Sequence, residues 1–78
     1  MTTNNLKPKR VYLHKEPTEL YKILKFEGLV NTGGEAKMVI AQGLVYVNNQ
    51  LELHKRKKIM SGDKIHFDGE AYVMCLAE

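Results

Sequence analysis

Lys55-Arg56-Lys57-Lys58 places four cations on consecutive residues, directly after His54. Charges packed this closely repel one another, and an anionic partner relieves that repulsion. A segment serving only solubility would interleave acids and bases. The chemistry such a run performs is phosphate binding, with lysine as a point charge and arginine as a planar fork. Lys7, Lys9, Arg10 and Lys15 form a second basic group near the N-terminus, while the stretch from Asp68 to Glu78 holds three acids and no Lys or Arg. Charge this lopsided favours a polyanion, nucleic acid ahead of an anionic membrane face.

Other chemistries are weaker. Ser61 is the only serine, and it lies in a Ser61-Gly62-Asp63 turn with no His beside it. A nucleophile needs a base and an orienting carboxylate brought to it. Cys75 sits in an apolar run without an adjacent base, which reads as a small buried hydrophobe. His14, His54, His66, Asp68 and Cys75 are the candidate metal ligands. None falls at a C-x-x-C or H-x-x-x-H spacing, so no metal is expected. No Walker loop or G-x-G-x-x-G occurs, and no cofactor is implied. The expectation is a chain that is not an enzyme.

The elements that must position the basic run follow from 78 residues with 44% apolar and 27% charged side chains, at a net charge of +3. That size supports one modest core, burying about 60–65% of the unfolded surface. Two-domain enzymes and doubly wound nucleotide-binding folds are excluded. The longest apolar run, the seven residues from Ala71 to Ala77, is far below the roughly 20 residues of a membrane span. Met1-Thr2-Thr3-Asn4-Asn5 shows no apolar signal region, and one cysteine forms no internal disulfide, so a cytoplasmic location is expected.

Residues 1–9 read as a flexible lead-in, and 10–78 as a single domain. Residues 10–14 favour an edge strand. Pro17-Thr18 is expected to open a helix over 18–27, with Leu20, Ile23 and Leu24 on its apolar stripe and Gly28 as a left-handed cap. Thr32-Gly33-Gly34-Glu35 fits a capping box, in which Glu35 returns to the cap amide, opening a helix over 33–42. Strands follow at 44–48, 50–53, 64–67 and 70–76, with turns at Asn48-Asn49 and Asp68-Gly69. The predicted fold is α+β: two short packed helices against a small, mostly antiparallel sheet of four to five strands.

The segments Glu19 to Val30, Thr32 to Asn49 and Ser61 to Ile65 resemble the RNA-binding domain named for small-subunit ribosomal protein S-four. The shared pattern is a helix ending in Gly, a capped helix start, Ala36-Lys37, Gly43-Leu44-Val45-Tyr46-Val47-Asn48 and a later Gly62-Asp63-Lys64-Ile65. The likeness covers about residues 18–67 and rests on order and spacing. Lys55-Arg56-Lys57-Lys58-Ile59 also has a counterpart in its short stand-alone bacterial branch, the YbcJ-like proteins. Two departures stand out. Gly33 occupies a position that is Arg in many members, and Asn49 replaces the usual Gly.

The resemblance implies the αL architecture and binding of structured RNA, ribosomal or transfer RNA in kind. The implied contacts are Thr32, Gly33, Lys37, Lys55, Arg56, Lys57 and Lys58. Apart from the resemblance, Lys22 and Lys25, off the apolar stripe of the first helix, and Lys64 are additional candidate cations. On this reading the basic surface is formed by the second helix and the 54–58 loop, and the chain is a monomer, associated with ribosomal particles and with no membrane. Tyr46 is a candidate stacking platform. The alternative is a ribosome-associated protein-interaction module or assembly factor, whose C-terminal segment from Glu70 adds a strand to a partner.

Overall fold

The computed structural model describes residues 8–77. The chain runs β1 (Lys9–Leu13), β2 (Thr18–Glu19), α1 (Leu20–Phe26), α2 (Gly33–Ala41), β3 (Val45–Val47), β4 (Gln50–Leu51), β5 (Lys58–Ile59), β6 (Lys64–Phe67) and β7 (Glu70–Leu76). Five strands form one sheet in the order β1-β7-β6-β3-β4, and β2 pairs with β5 separately. Only the β1–β7 pairing is parallel; the others are antiparallel.

Local sequence explains most of this. Asn48 and Asn49 adopt φ of 53° and 68°, and Asp68 and Gly69 adopt 55° and 78°. Two successive left-handed residues make the tight turn whose twist matches a hairpin. Both helices end in the same way. After α1, Gly28 N–H donates to Lys25 O and Leu29 N–H to Leu24 O; after α2, Gly43 N–H donates to Ile40 O and Leu44 N–H to Val39 O. This paired pattern needs a left-handed residue, which glycine supplies without strain at φ of 72° and 78°.

One layer of helices covers one face of the sheet. Val11, Leu13, Val45, Val47, Ile65, Tyr72 and Met74 meet Leu20, Ile23, Leu24, Ala36, Val39 and Ile40 in a single buried cluster. Alternation along the strands sends Arg10, Tyr12, Tyr46, Lys64, His66 and Cys75 to the other face.

The structure departs from the sequence reading in five places. Residues 1–7 of the expected lead-in lie outside the described residues, and Lys9 already belongs to β1. The first helix starts at Leu20. The Thr18 hydroxyl donates to Lys15 O at 2.8 Å, and Thr18 and Glu19 are extended against Ile59 and Lys58. The strand expected over 50–53 stops at Leu51. Glu52 N–H makes a last bond to Val45 O at 3.0 Å, and the Glu52 carboxylate then accepts from His54 N–H at 3.1 Å as the chain enters the basic loop. The basic run ends in a strand, β5, which its charge concealed. β7 lies between β1 and β6, so both of its edges are occupied. The expected addition of a partner strand at β7 is therefore closed.

Ile59 is fully buried in the core directly after the four cations. Replacing Ile59 with Ala should cost about 2–5 kcal/mol, measured by chemical denaturation, because the cavity forms where the basic segment is anchored.

Candidate nucleic-acid interface

The basic segment is held by its backbone. Glu19 caps α1 without using its side chain. Instead Leu20 N–H donates to Lys57 O at 2.9 Å, and Tyr21 N–H donates to Lys55 O at 3.0 Å. Two orphan donors of a helix start are thus satisfied by carbonyls of the lysine-rich loop. Lys57 N–H closes the loop on His54 O at 3.1 Å. The side chains are left to face solvent, and all four cations are exposed.

A groove of about 700 Å³ opens between this loop and α2. Lys37, Gly34 and Met38 line one wall, and His54, Lys55 and Arg56 line the other. Tyr21 from α1 lies at its edge. The Lys37 ammonium sits 4.9 Å above the Tyr21 ring, and that of Lys22 lies 6.0 Å away. Such contacts hold a cation over a ring face while leaving its outer side open to an anion.

Acids within the cluster act as positioning groups. Glu19 accepts from Arg56 Nε at 2.9 Å and lies 3.6 Å from Lys22 Nζ. Only Nε of the exposed Arg56 fork is engaged among the described residues, which leaves the terminal nitrogens available as donors. The bond to Arg56 holds the Glu19 carboxyl below the usual carboxylate range and raises the Arg56 guanidinium above its ordinary value. Glu52 similarly braces His54, with 3.0 Å to Nδ1.

The start of α2 borders the groove. Thr32 Oγ1 accepts from Glu35 N–H at 3.0 Å, as the capping box requires. The reciprocal bond differs, since Glu35 Oε1 accepts from Asn31 N–H at 2.9 Å, one residue before the expected cap amide. The N–H groups of Gly33 and Gly34 have no acceptor among the described residues. A Cβ on Gly33 would meet nothing within 4 Å, so the position has room for a side chain.

The expected cations therefore divide. Lys37, Lys55 and Arg56 share the groove, which Gly34 borders at the start of α2; the expected contacts Thr32, Gly33 and Lys57 do not line it. Lys58 and Lys22 instead line a smaller pocket of about 160 Å³ with Lys15, Thr18 and Glu19. Lys25 lies in the last turn of α1, outside both, where it opposes the negative helix end. Lys64 is not brought to this side: Ile65 next to it is buried against the helices, so Lys64 projects from the opposite face. Glu19 and Tyr21 escaped the sequence reading. Glu19 meets Arg56 across 37 residues, a separation over which no local pattern signals a contact.

Ser61 carries no base. The Ser61 side chain and its backbone N–H, which donates to the Glu16 carboxylate, lower that carboxyl below its ordinary range. Cys75, expected to be buried, is half-buried on the open sheet face. No cluster of three or more His, Cys, Asp or Glu side chains gathers among the described residues.

A helix pair on a mostly antiparallel sheet, with a cationic groove beside the second helix, places the molecule in a defined class. The chain belongs to the S4 domain family, whose profile matches residues 11–75. Among its relatives is the Escherichia coli (strain K12) protein named "Putative RNA-binding protein YbcJ", 42% identical over 60 residues that cover 76% of this chain and 86% of that protein. The Shigella flexneri protein YbcJ matches to the same extent. The solution structure of E. coli YbcJ, described as revealing an αL motif involved in RNA binding, superposes with a TM-score of 0.67. It is 35% identical, covering 99% of this chain and 98% of that one.

A carboxylate whose folded pKa is depressed stabilises the fold above its unfolded pKa, and that contribution is lost as pH falls through the folded value. Glu19 and Glu16 both fit this sign. Thermal midpoints should hold steady from neutral pH down to the ordinary carboxylate range and fall below it. In Glu19→Gln the fall should be shallower, as read by melts across a pH series.

Proposed function

We propose that this protein is a non-catalytic binder of structured RNA, and that the groove between α2 and the 52–57 loop takes the sugar-phosphate backbone. The observation that carries this reading is the convergence of Lys37, Lys55 and Arg56 on one groove in a member of the S4 domain family. The RNA-binding name of the YbcJ relative and the αL motif of its structure support it.

The physical case is one of geometry. The base edges of A-form RNA lie in a deep, narrow major groove, so a small domain reads backbone shape and unpaired nucleotides. Three cations lining one groove suit a row of phosphates, and such contacts set register without specifying sequence. Lys22, Lys58 and Lys15 continue the positive surface past Arg56 to the neighbouring pocket. Folded ribosomal or transfer RNA, free or within ribosomal particles, offers closely spaced backbones of this kind. The protein acts in the cytoplasm as a monomer and contributes binding alone.

Affinity should fall with salt at roughly 0.7–0.9 decades per decade of salt for each phosphate neutralised. Lys37→Ala and Arg56→Ala should each weaken binding to an RNA hairpin and flatten that slope by about one, whereas Lys25→Ala should leave both unchanged. Fluorescence anisotropy across a salt series decides this, and an unchanged slope in the Lys37→Ala, Arg56→Ala double variant overturns the assignment.

Gly33 provides a gain-of-function test. Gly33→Arg meets open space and adds a cation at the start of α2, next to Gly34 of the groove. Hairpin affinity should rise, with the salt slope steeper by about one. The same titrations read the result.

A further inference from the structure

The side of the sheet away from the helices has no covering layer among the described residues. The register aligns its outward side chains in rows. Tyr46 lies between Leu51 and His66, Lys64 lies opposite Val73, which lies opposite Arg10, and Tyr12 lies opposite Cys75. Tyr12 is 51% exposed, Tyr46 43% and Leu51 50%. Strand spacing and rise put the two tyrosines about 20 Å apart along a diagonal, with Arg10 and Lys64 in the row between them.

We propose that this open sheet face is a second nucleic-acid surface, seating unpaired RNA nucleotides on Tyr46 and Tyr12 while Arg10 and Lys64 hold the phosphates between them. The inference rests on the RNA-binding reading above and extends it to a second segment of the same RNA, on the opposite layer from the groove.

Three observations favour this occupant. None of the outward strand positions carries a carboxylate, and neither Arg10 nor Lys64 forms an ion pair among the described residues. The charge therefore complements an anion. The neighbouring Tyr12 raises the Arg10 guanidinium above its ordinary value, which favours the charged form of this cation. Exposed rings on a rigid sheet stack bases of any sequence, because every base presents a π-face. Exposed apolar surface also suits a protein partner. A second copy of this chain is disfavoured, since an isologous contact would oppose the central cations to their own copies.

The test uses the full chain with two probes, a labelled single-stranded uridine dodecamer and a fully paired RNA hairpin. Stacking one base is worth about 1–3 kcal/mol, so Tyr46→Ala should weaken dodecamer binding about tenfold or more while hairpin affinity stays the same. Tyr46→Phe keeps the ring and should keep the affinity. Lys37→Ala should show the reverse preference, losing the hairpin and retaining the dodecamer. Dodecamer affinity unchanged in a folded Tyr46→Ala variant overturns the sheet surface and leaves the groove standing. Failure of the wild-type chain to bind either probe overturns the RNA reading and this one with it. If Tyr46→Ala does not fold, amide shifts of the wild-type chain decide. Shifts on adding the dodecamer must appear at Arg10, Tyr12, Tyr46, Lys64 and His66; shifts confined to residues 32–37 and 54–58 overturn the proposal. A concentration-dependent dimer abolished by Tyr46→Phe or Lys64→Glu assigns the face to a protein contact instead and likewise overturns it.

Discussion

The first two free N–H groups of α1 bond the carbonyls of Lys57 and Lys55, and the remaining geometry of the basic surface depends on this junction. A seven-residue helix is too short to persist alone in water. It also begins without a side-chain cap. The loop supplies the missing acceptors, while the helix fixes two alternate residues of a loop that charge repulsion would otherwise spread. Ile59 completes the clamp by burying itself just beyond the cations. Each partner removes a defect of the other.

This arrangement separates backbone from side chain in a useful way. The Lys55 and Lys57 carbonyls turn inward to the helix, so the exposed ammonium groups of the same residues face solvent. The acids nearby are few and each is committed. Glu19 holds Arg56 and Lys22, Glu52 holds His54, and Glu35 closes the start of α2. These carboxylates orient cations or satisfy amides without filling the groove. Preorganisation of this kind lowers the entropy lost when long side chains engage a ligand.

The sheet plays two distinct parts. Its inner face supplies half of the core and sets the height at which α1 and α2 lie. Its outer face carries half-exposed aromatic and basic residues that no helix covers among the described residues. The parallel β1–β7 pairing joins the N-terminal strand to a strand near the C-terminus, so both ends of the described chain are tied into one sheet.

Much of the fold was legible in the residues themselves. Gly28 and Gly43 end helices because the left-handed cap is a local requirement, and Asn48-Asn49 and Asp68-Gly69 announce their hairpins for the same reason. The capping role of Thr32 was equally plain. Such signals involve neighbours within a few residues, where propensity and hydrogen bonding act directly. The groove was legible only in part. Lys37, Lys55 and Arg56 were visible as cations, and the family pattern grouped them.

What the chain alone could not reveal were contacts made across long separations. The β2–β5 pairing delays α1 until Leu20, and the Glu19–Arg56 bond aims the guanidinium. The same kind of separation divides the lysines, sending Lys64 through the sheet to the far side and Lys58 to a second pocket. Composition, caps and turns were determined by the sequence, because each is a property of a few adjacent residues. Which cations share a surface was decided by the tertiary structure, because only packing sets the directions in which distant side chains point.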